Sequence, residues 1–180
     1  MQRNSFPSFQ RGLTLIEACI TLAIASILVG TAVPSFIDSN KKRMLDGSAG
    51  ELATDLYLAR SEAVARQQGV RVSFHAVAGG SCMVIHTGST ADCSCDSAGA
   101  AQCINEATLI KSNYFASSRG VSLAANVASM RFDQNNGTVT PAATVRVTAS
   151  TGSEVRHVVN IMGRVRSCSP NGSAKGYKVC

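Results

Sequence analysis

Two stretches of this chain carry residue types whose spacing suits chemistry beyond core packing. Near the C-terminus, "NIMGRVRSC" sets Arg164 and Arg166 on either side of Val165, directly after Gly163. Glycine permits a turn, and an extended run after it projects both guanidiniums from one face about 6.6 Å apart with Val165 pointing inward. So placed, the two can clamp neighbouring phosphates of a polyanion, a contact that ignores base sequence and weakens with salt. Lys175 and Lys178 follow closely enough to enlarge the patch. The same residues also read as an ordinary strand end with two solvated arginines. At the other end, Glu17 stands near the start of an apolar run reaching Ile37, where a charge is costly unless it finds a partner.

Cysteine is the third chemical signal. Cys19 lies inside the apolar run, and Cys82, Cys93, Cys95, Cys103, Cys168 and Cys180 follow it. An even set beyond an apolar segment fits an exported domain with disulfides. A metal site built from Cys93 and Cys95 with Cys82, Cys103 or His86 ranks below this, because C-x-C is not the paired C-x-x-C of common zinc sites. Cys93 and Cys95 are too close in sequence to bond each other readily, so they tie the loop at 88–103 back to Cys82 and Cys103 in an order that stays open. Cys168 and Cys180 remain to close the tail, whose loop contains Pro170, Gly172 and Gly176. His75 and His157 sit in strand-like runs as ordinary sheet residues. No nucleophile, base or metal constellation marks an enzyme, so neither a catalytic residue nor a cofactor is expected.

These residues need elements to position them. The chain has 180 residues, 45% of them hydrophobic, enough for one compact domain with an appendage. Its net charge of +6 is uneven. From Thr140 onward Arg146, Arg156, Arg164, Arg166, Lys175 and Lys178 face the single acid Glu154, whereas Ser81–Ile110 holds only acids. A basic surface at the C-terminal end attracts polyanions, though scattered charges also make a solvated face.

Leu13 to Val33 would span about 31 Å as a helix, close to the hydrocarbon thickness of a bilayer. Arg3 and Arg11 precede it, and Lys41, Lys42 and Arg43 follow it, so charge alone leaves the orientation open. Pro34 lacks a backbone donor and is expected to kink the helix. Beyond it Leu45, Leu52, Leu56, Ala59 and Ala63 form one helical stripe, with Asp55 and Arg60 among the charges placed off it. The helix is expected to run to Gln68 with Gly69 as its C-cap. After Gly69 come eight β-like runs separated by turn formers: VRVSFHA, CMVIH, ATLIK, GVSLA, MRFD, GTVT, ATVRVTA and VRHVVNIM. The reading is α+β, a long N-terminal helix, transmembrane then amphipathic, packed on two small antiparallel β-sheets.

The segment "RGLTLIE" resembles the processing site of type IV prepilins and type II secretion pseudopilins: a basic leader ending in Gly12, the hydrophobic Leu13, and Glu17 as fifth residue after the cut. The resemblance implies a leader at 1–12, a membrane and filament-core helix at 13–37, and a periplasmic pilin-like domain at 38–180. It also implies cleavage between Gly12 and Leu13 by a prepilin peptidase, methylation of the new amine, and pairing of Glu17 with the terminal amine of a neighbouring subunit. Such a protein sits in the bacterial inner membrane before entering a pilus with other pilin subunits. The helix followed by many strands resembles the FimT/GspH branch, and Gly163-Arg164-Val165-Arg166 resembles the GRxR motif of DNA-binding FimT minor pilins of natural transformation. This implies non-specific DNA binding by Gly163, Arg164 and Arg166, with Lys175 and Lys178 beside them. The alternative is a structural minor pilin or a GspH-like pseudopilin that helps initiate a filament without binding DNA.

Overall fold

The computed structural model describes Gly12 and residues 14–180, so Arg3, Arg11 and Leu13 of the leader and cleavage reading lie outside the described residues. The chain divides into two units, Met1–Ser39 and Asn40–Cys180. A helix, α1 (Leu15–Ala65), runs through both and continues past Pro34. Its first part is apolar and long enough to cross a membrane, with Leu15, Leu22, Ile27 and Leu28 exposed. Thr14 caps its start: the Glu17 N–H donates to Thr14 Oγ1 at 3.4 Å and the Ala18 N–H to the Thr14 carbonyl at 3.1 Å.

In the second unit the expected stripe is buried, with Ala49 joining Leu45, Leu52, Leu56, Ala59 and Ala63. Asp55 departs from its expected place among solvated charges, because the i, i+3, i+4 spacing from Leu52 turns it onto the same buried face. There it accepts a bond from Lys111 Nζ at 2.6 Å and another from Asn113 Nδ2. The helix also ends earlier than expected. Gln67 takes the left-handed conformation at φ 51°, and the Gln67 and Gln68 N–H groups donate to Val64 and Ala63, a Schellman closure on a non-glycine residue. Gly69 is small for another reason: a Cβ there would lie 2.3 Å from the Arg131 guanidinium.

Eleven strands follow, β1 (Val70–Val77), β2 (Gly80–Thr87), β3 (Cys93–Cys95), β4 (Ala101–Cys103), β5 (Leu109–Ala116), β6 (Val121–Ala125), β7 (Ser129–Phe132), β8 (Val139–Thr140), β9 (Ala143–Ala149), β10 (Glu154–Val159) and β11 (Val165–Cys168). They form an antiparallel five-stranded sheet, β5-β2-β1-β7-β8, a four-stranded sheet, β11-β10-β9-β6, and a two-stranded hairpin, β3-β4. Alternation sends Val72, Ile85, Met130 and Phe132 of the first sheet and Val145, Val147, Val155 and Val159 of the second into one core with the helix stripe. The outer face of the first sheet carries Cys82 and Val84, which the β3-β4 hairpin covers through Cys93.

The short pair β3-β4 falls where a loop was expected, and its register puts Cys93 opposite Cys103. Disulfides join Cys93 to Cys103, Cys82 to Cys95, and Cys168 to Cys180. The order left open by the sequence is thereby resolved, and the hairpin is stapled both within itself and to β2.

Candidate nucleic-acid interface

The run VRHVVNIM is a strand only as far as Val159. Asn160, Ile161, Met162 and Gly163 turn the chain, and β11 returns beside β10 with Val159 opposite Val165 and Val158 opposite Arg166. Asn160 makes this turn, because its Oδ1 accepts the N–H groups of both Met162 and Arg164 at 3.1 and 3.0 Å while the Gly163 N–H donates to its carbonyl at 2.8 Å. Gly163 closes it at φ 70°, as the αL residue of a three-residue hairpin loop. Space demands glycine as well: a Cβ on Gly163 would fall 2.1 Å from the Gly137 carbonyl oxygen. Ile161 and Met162, read from sequence as strand, are the exposed tip of the turn at 65% and 62%.

The hairpin is braced on the helix. The Tyr57 hydroxyl donates to the Val165 carbonyl at 3.3 Å, so the residue between the two arginines is held from α1. One turn further, the Arg60 side chain passes beneath two glycine turns, its Nε 2.8 Å from the Cβ position of Gly137 and 3.2 Å from that of Gly163. The Val139 N–H donates to Ile161 O at 2.9 Å and joins those turns. Val165 is buried and Arg164 and Arg166 are exposed, the disposition expected of an extended Arg-Val-Arg, although Arg164 belongs to the turn and the strand begins at Val165.

Arg166 lines an open groove of about 450 Å³ with Val158, Lys178, Val179 and the Cys168–Cys180 disulfide. The tail is held there by Ser169, whose hydroxyl oxygen accepts the Ala174 N–H at 2.8 Å and donates to the Glu154 carbonyl at 2.9 Å, and whose backbone N–H donates to Lys178 O at 2.8 Å. Lys175 does not join this group: it lines a separate groove with Lys42 and Asp46 of α1. On the outer face of the same sheet, Arg146 lies opposite Arg156, and Arg156 pairs with Glu154 at 2.5 Å. Among the described residues, Arg164, Arg166 and Lys178 have no carboxylate partner.

Beneath the arginines, His157 faces inward from β10 and is buried. Its Nδ1 lies 2.9 Å from Ser167 Oγ, and its Nε2 meets no hydrogen-bond partner among the described residues. Burial pushes this imidazole down to about 4, against a smaller upward pull from the Ala49 backbone, so at neutral pH it is an uncharged packing residue. Positive charge thus stays on the surface of the hairpin. Tyr57, Arg60, Asn160 and Ser169 were not singled out by their sequence positions. Only Asn160, two residues before the turn apex and rich in turn propensity, carried a local signal.

Residues 48–163 match the family described as "Type II transport protein GspH", well over half of the chain, and the match stops immediately before Arg164. Competence protein ComGD of Bacillus subtilis (strain 168) is 35% identical over 69 residues, 37% of this chain and 46% of that protein, so the chain spans less than half of this relative. The fold is similar to that of the type IV minor pilin FimU of Pseudomonas aeruginosa (strain PAO1). One crystal form aligns with a TM-score of 0.54 at 18% identity over 72% of this chain and 94% of FimU. A second gives 0.50 at 19% over 70% and 97%. An apolar helix entering an antiparallel α+β domain and a family match over the second part of that helix and most of both large sheets converge: the chain belongs to the GspH family of type IV minor pilins and pseudopilins, which are non-enzymatic.

Proposed function

We propose that this protein is a FimT-like minor type IV pilin that binds extracellular DNA, without sequence preference, for uptake in natural transformation. The observation that carries the reading is the braced β10-β11 hairpin, which holds Arg164 and Arg166 at the surface beside Lys178 of the disulfide-closed tail, none of the three with a carboxylate partner among the described residues. A clamp whose backbone is already ordered loses less entropy when it closes on phosphates. The name of the ComGD relative, a competence protein, agrees with this assignment.

In this reading a prepilin peptidase cuts between Gly12 and Leu13, and α1 holds the subunit in the inner membrane with Asn40–Cys180 in the periplasm. On assembly Glu17 pairs with the amine of a neighbouring subunit, which offsets the cost of a carboxylate in an apolar bundle. The second reading, a structural pseudopilin, is favoured by the description of the matched family as a transport protein.

Binding of unrelated duplexes to the full-length protein in detergent micelles decides between them. Removing both arginines (Arg164→Gln, Arg166→Gln) should weaken all duplexes about equally and flatten the slope of log K against log salt by roughly 0.9 per contact. A wild-type protein without DNA affinity, or a folded double variant with unchanged affinity and slope, would establish the structural reading instead.

A further inference from the structure

Hairpin turns are ordinarily built from Gly, Asn, Asp and Ser, and the tip between β10 and β11 is not. Ile161 and Met162 stand side by side there, both exposed, and the turn does not need their side chains: Asn160 Oδ1 and the left-handed Gly163 already set its shape. Among the described residues of the Asn40–Cys180 unit, the other large apolar side chains at least 60% exposed, Ile104 and Val179, occur singly. Single exposed apolar residues are commonplace, whereas an adjoining pair on a fixed tip marks a contact surface. The tip is fixed. Ile161 O accepts the Val139 N–H at 2.9 Å, the Asn160 N–H donates to Arg164 O at 3.2 Å, and Tyr57 bonds to Val165 O behind them.

The charges beside the tip say what kind of partner it fits. The chain runs from Met162 through Gly163 into Arg164 and Arg166, both exposed and without a carboxylate partner among the described residues. Two residues of backbone span at most about 7 Å, so the Met162 and Arg164 side chains start within that distance of each other. A purely apolar partner would leave the guanidiniums uncompensated, and a purely ionic one would leave Ile161 and Met162 in water. A nucleic-acid duplex offers both chemistries at this spacing: phosphates edge a minor groove about 6 Å wide, and apolar base faces lie stacked between them. Ile and Met are among the side chains that enter such a groove as wedges, partly unstacking a base step while basic residues hold the backbone.

We propose that Ile161 and Met162 form an apolar wedge that enters between base steps from the minor groove while Arg164 and Arg166 hold adjoining phosphates, so that the protein grips a duplex by locally unstacking it. The inference rests on the DNA-binding reading above and adds to it how the bases are engaged. The wedge touches no base edge. What it favours is DNA that unstacks cheaply, such as a mismatched pair.

The test uses the full-length protein in detergent micelles with two short duplexes, one fully paired and one with a central mismatch, each carrying 2-aminopurine at the centre to report loss of stacking by a rise in fluorescence. Wild type should bind the mismatched duplex more tightly and raise the fluorescence of both. Ile161→Ser, Met162→Ser should bind the paired duplex roughly tenfold more weakly, lose the mismatch preference and give no rise. Its slope of log K against log salt should stay that of wild type, because no phosphate contact is lost. Ile161→Leu, Met162→Leu keeps the apolar bulk and should keep both the preference and the rise. The proposal is overturned if the serine variant binds and unstacks like wild type, or if the leucine variant loses as much as the serine one. A serine variant that binds DNA normally but no longer co-assembles with other pilin subunits also overturns it, and assigns the tip to a subunit contact. If wild type binds DNA yet leaves both duplexes stacked, the wedge is wrong and the parent reading stands; a wild-type protein that binds no DNA removes both.

Discussion

Asp55 and Lys111 meet at 2.6 Å, yet Asp55 is 1% exposed and Lys111 36%. Burial holds the Asp55 carboxyl above the usual carboxylate range even though Lys111 pulls it down, while the bond to Asp55 raises the Lys111 ammonium. The two directions imply different consequences for losing each partner. In Lys111→Ala a buried carboxylate keeps only Asn113, at a cost of about 3 kcal/mol. Asp55→Asn leaves an ammonium that water can reach, for about 1 kcal/mol. A carboxyl whose folded pKa lies above its unfolded value favours folding in acid, so the Lys111→Ala defect should shrink as pH falls from 7 to 5. Urea melts of both variants at the two pH values check this; equal defects at both would contradict it.

Acid should destabilise the wild-type domain before most of its carboxylates titrate. His157 has a folded pKa of about 4 against an unfolded value near 6.5, and burial lowers His86 in the same direction. A base depressed by folding contributes its stability above the unfolded value and loses it as pH falls through the window to the folded one, here from about 6.5 to 4. The full loss from His157 is about 3 kcal/mol. Denaturation midpoints measured between pH 7 and 4 should therefore fall, and His157→Gln should flatten the curve. Parallel curves for the two proteins would count against the assignment.

Gly163→Ala should damage the fold rather than DNA contact alone. A left-handed φ of 70° disfavours alanine by about 1 kcal/mol, and relieving a Cβ placed 2.1 Å from the Gly137 oxygen adds about 1–3 kcal/mol. Thermal melting should show this loss, while Arg164→Gln, Arg166→Gln melts within about 0.5 kcal/mol of wild type. A Gly163→Ala protein as stable as wild type would show that the turn can re-form without glycine.

The disulfide pattern gives a different kind of check. Non-reducing peptide mapping should recover Cys82 with Cys95, Cys93 with Cys103, and Cys168 with Cys180. Replacing Cys168 and Cys180 together by Ser should cost about 3 kcal/mol on chain-entropy grounds for a loop of this length. Any peptide joining Cys82 to Cys103 would refute the β3-β4 register.

What could be read from sequence follows how local each cause is. The helix stripe and the runs that hold β1, β2, β5, β6, β7, β9 and β10 obey periods of 3.6 and 2, which neighbouring residues display directly. The strands β3 and β4 do not: Cys-Ser-Cys and Ala-Gln-Cys have little strand propensity, and what pairs them is the Cys93–Cys103 bond across the ladder. Gly69 looked like a cap because glycine prefers that place, but its space is taken by Arg131, a residue 62 positions away. Asp55 looked solvated by type, and Lys111 and Asn113, brought opposite it by the sheet, made its burial possible. Arg164 and Arg166 were visible as a motif, whereas Tyr57 and Arg60 reach the site only through tertiary packing that no local pattern encodes.

The Thr14–Glu17 cap has a consequence for maturation. Helices commonly lose order when residues ahead of them are removed, because their first amides are left without acceptors. Here the Glu17 and Ala18 amides are bonded to the side chain and carbonyl of Thr14, both of which lie downstream of the Gly12–Leu13 bond. Proteolysis at that bond takes neither acceptor away. In the proposed maturation the helix start at Thr14 would therefore survive the cut with Glu17 kept on its first turn, ready for the contact with a neighbouring subunit.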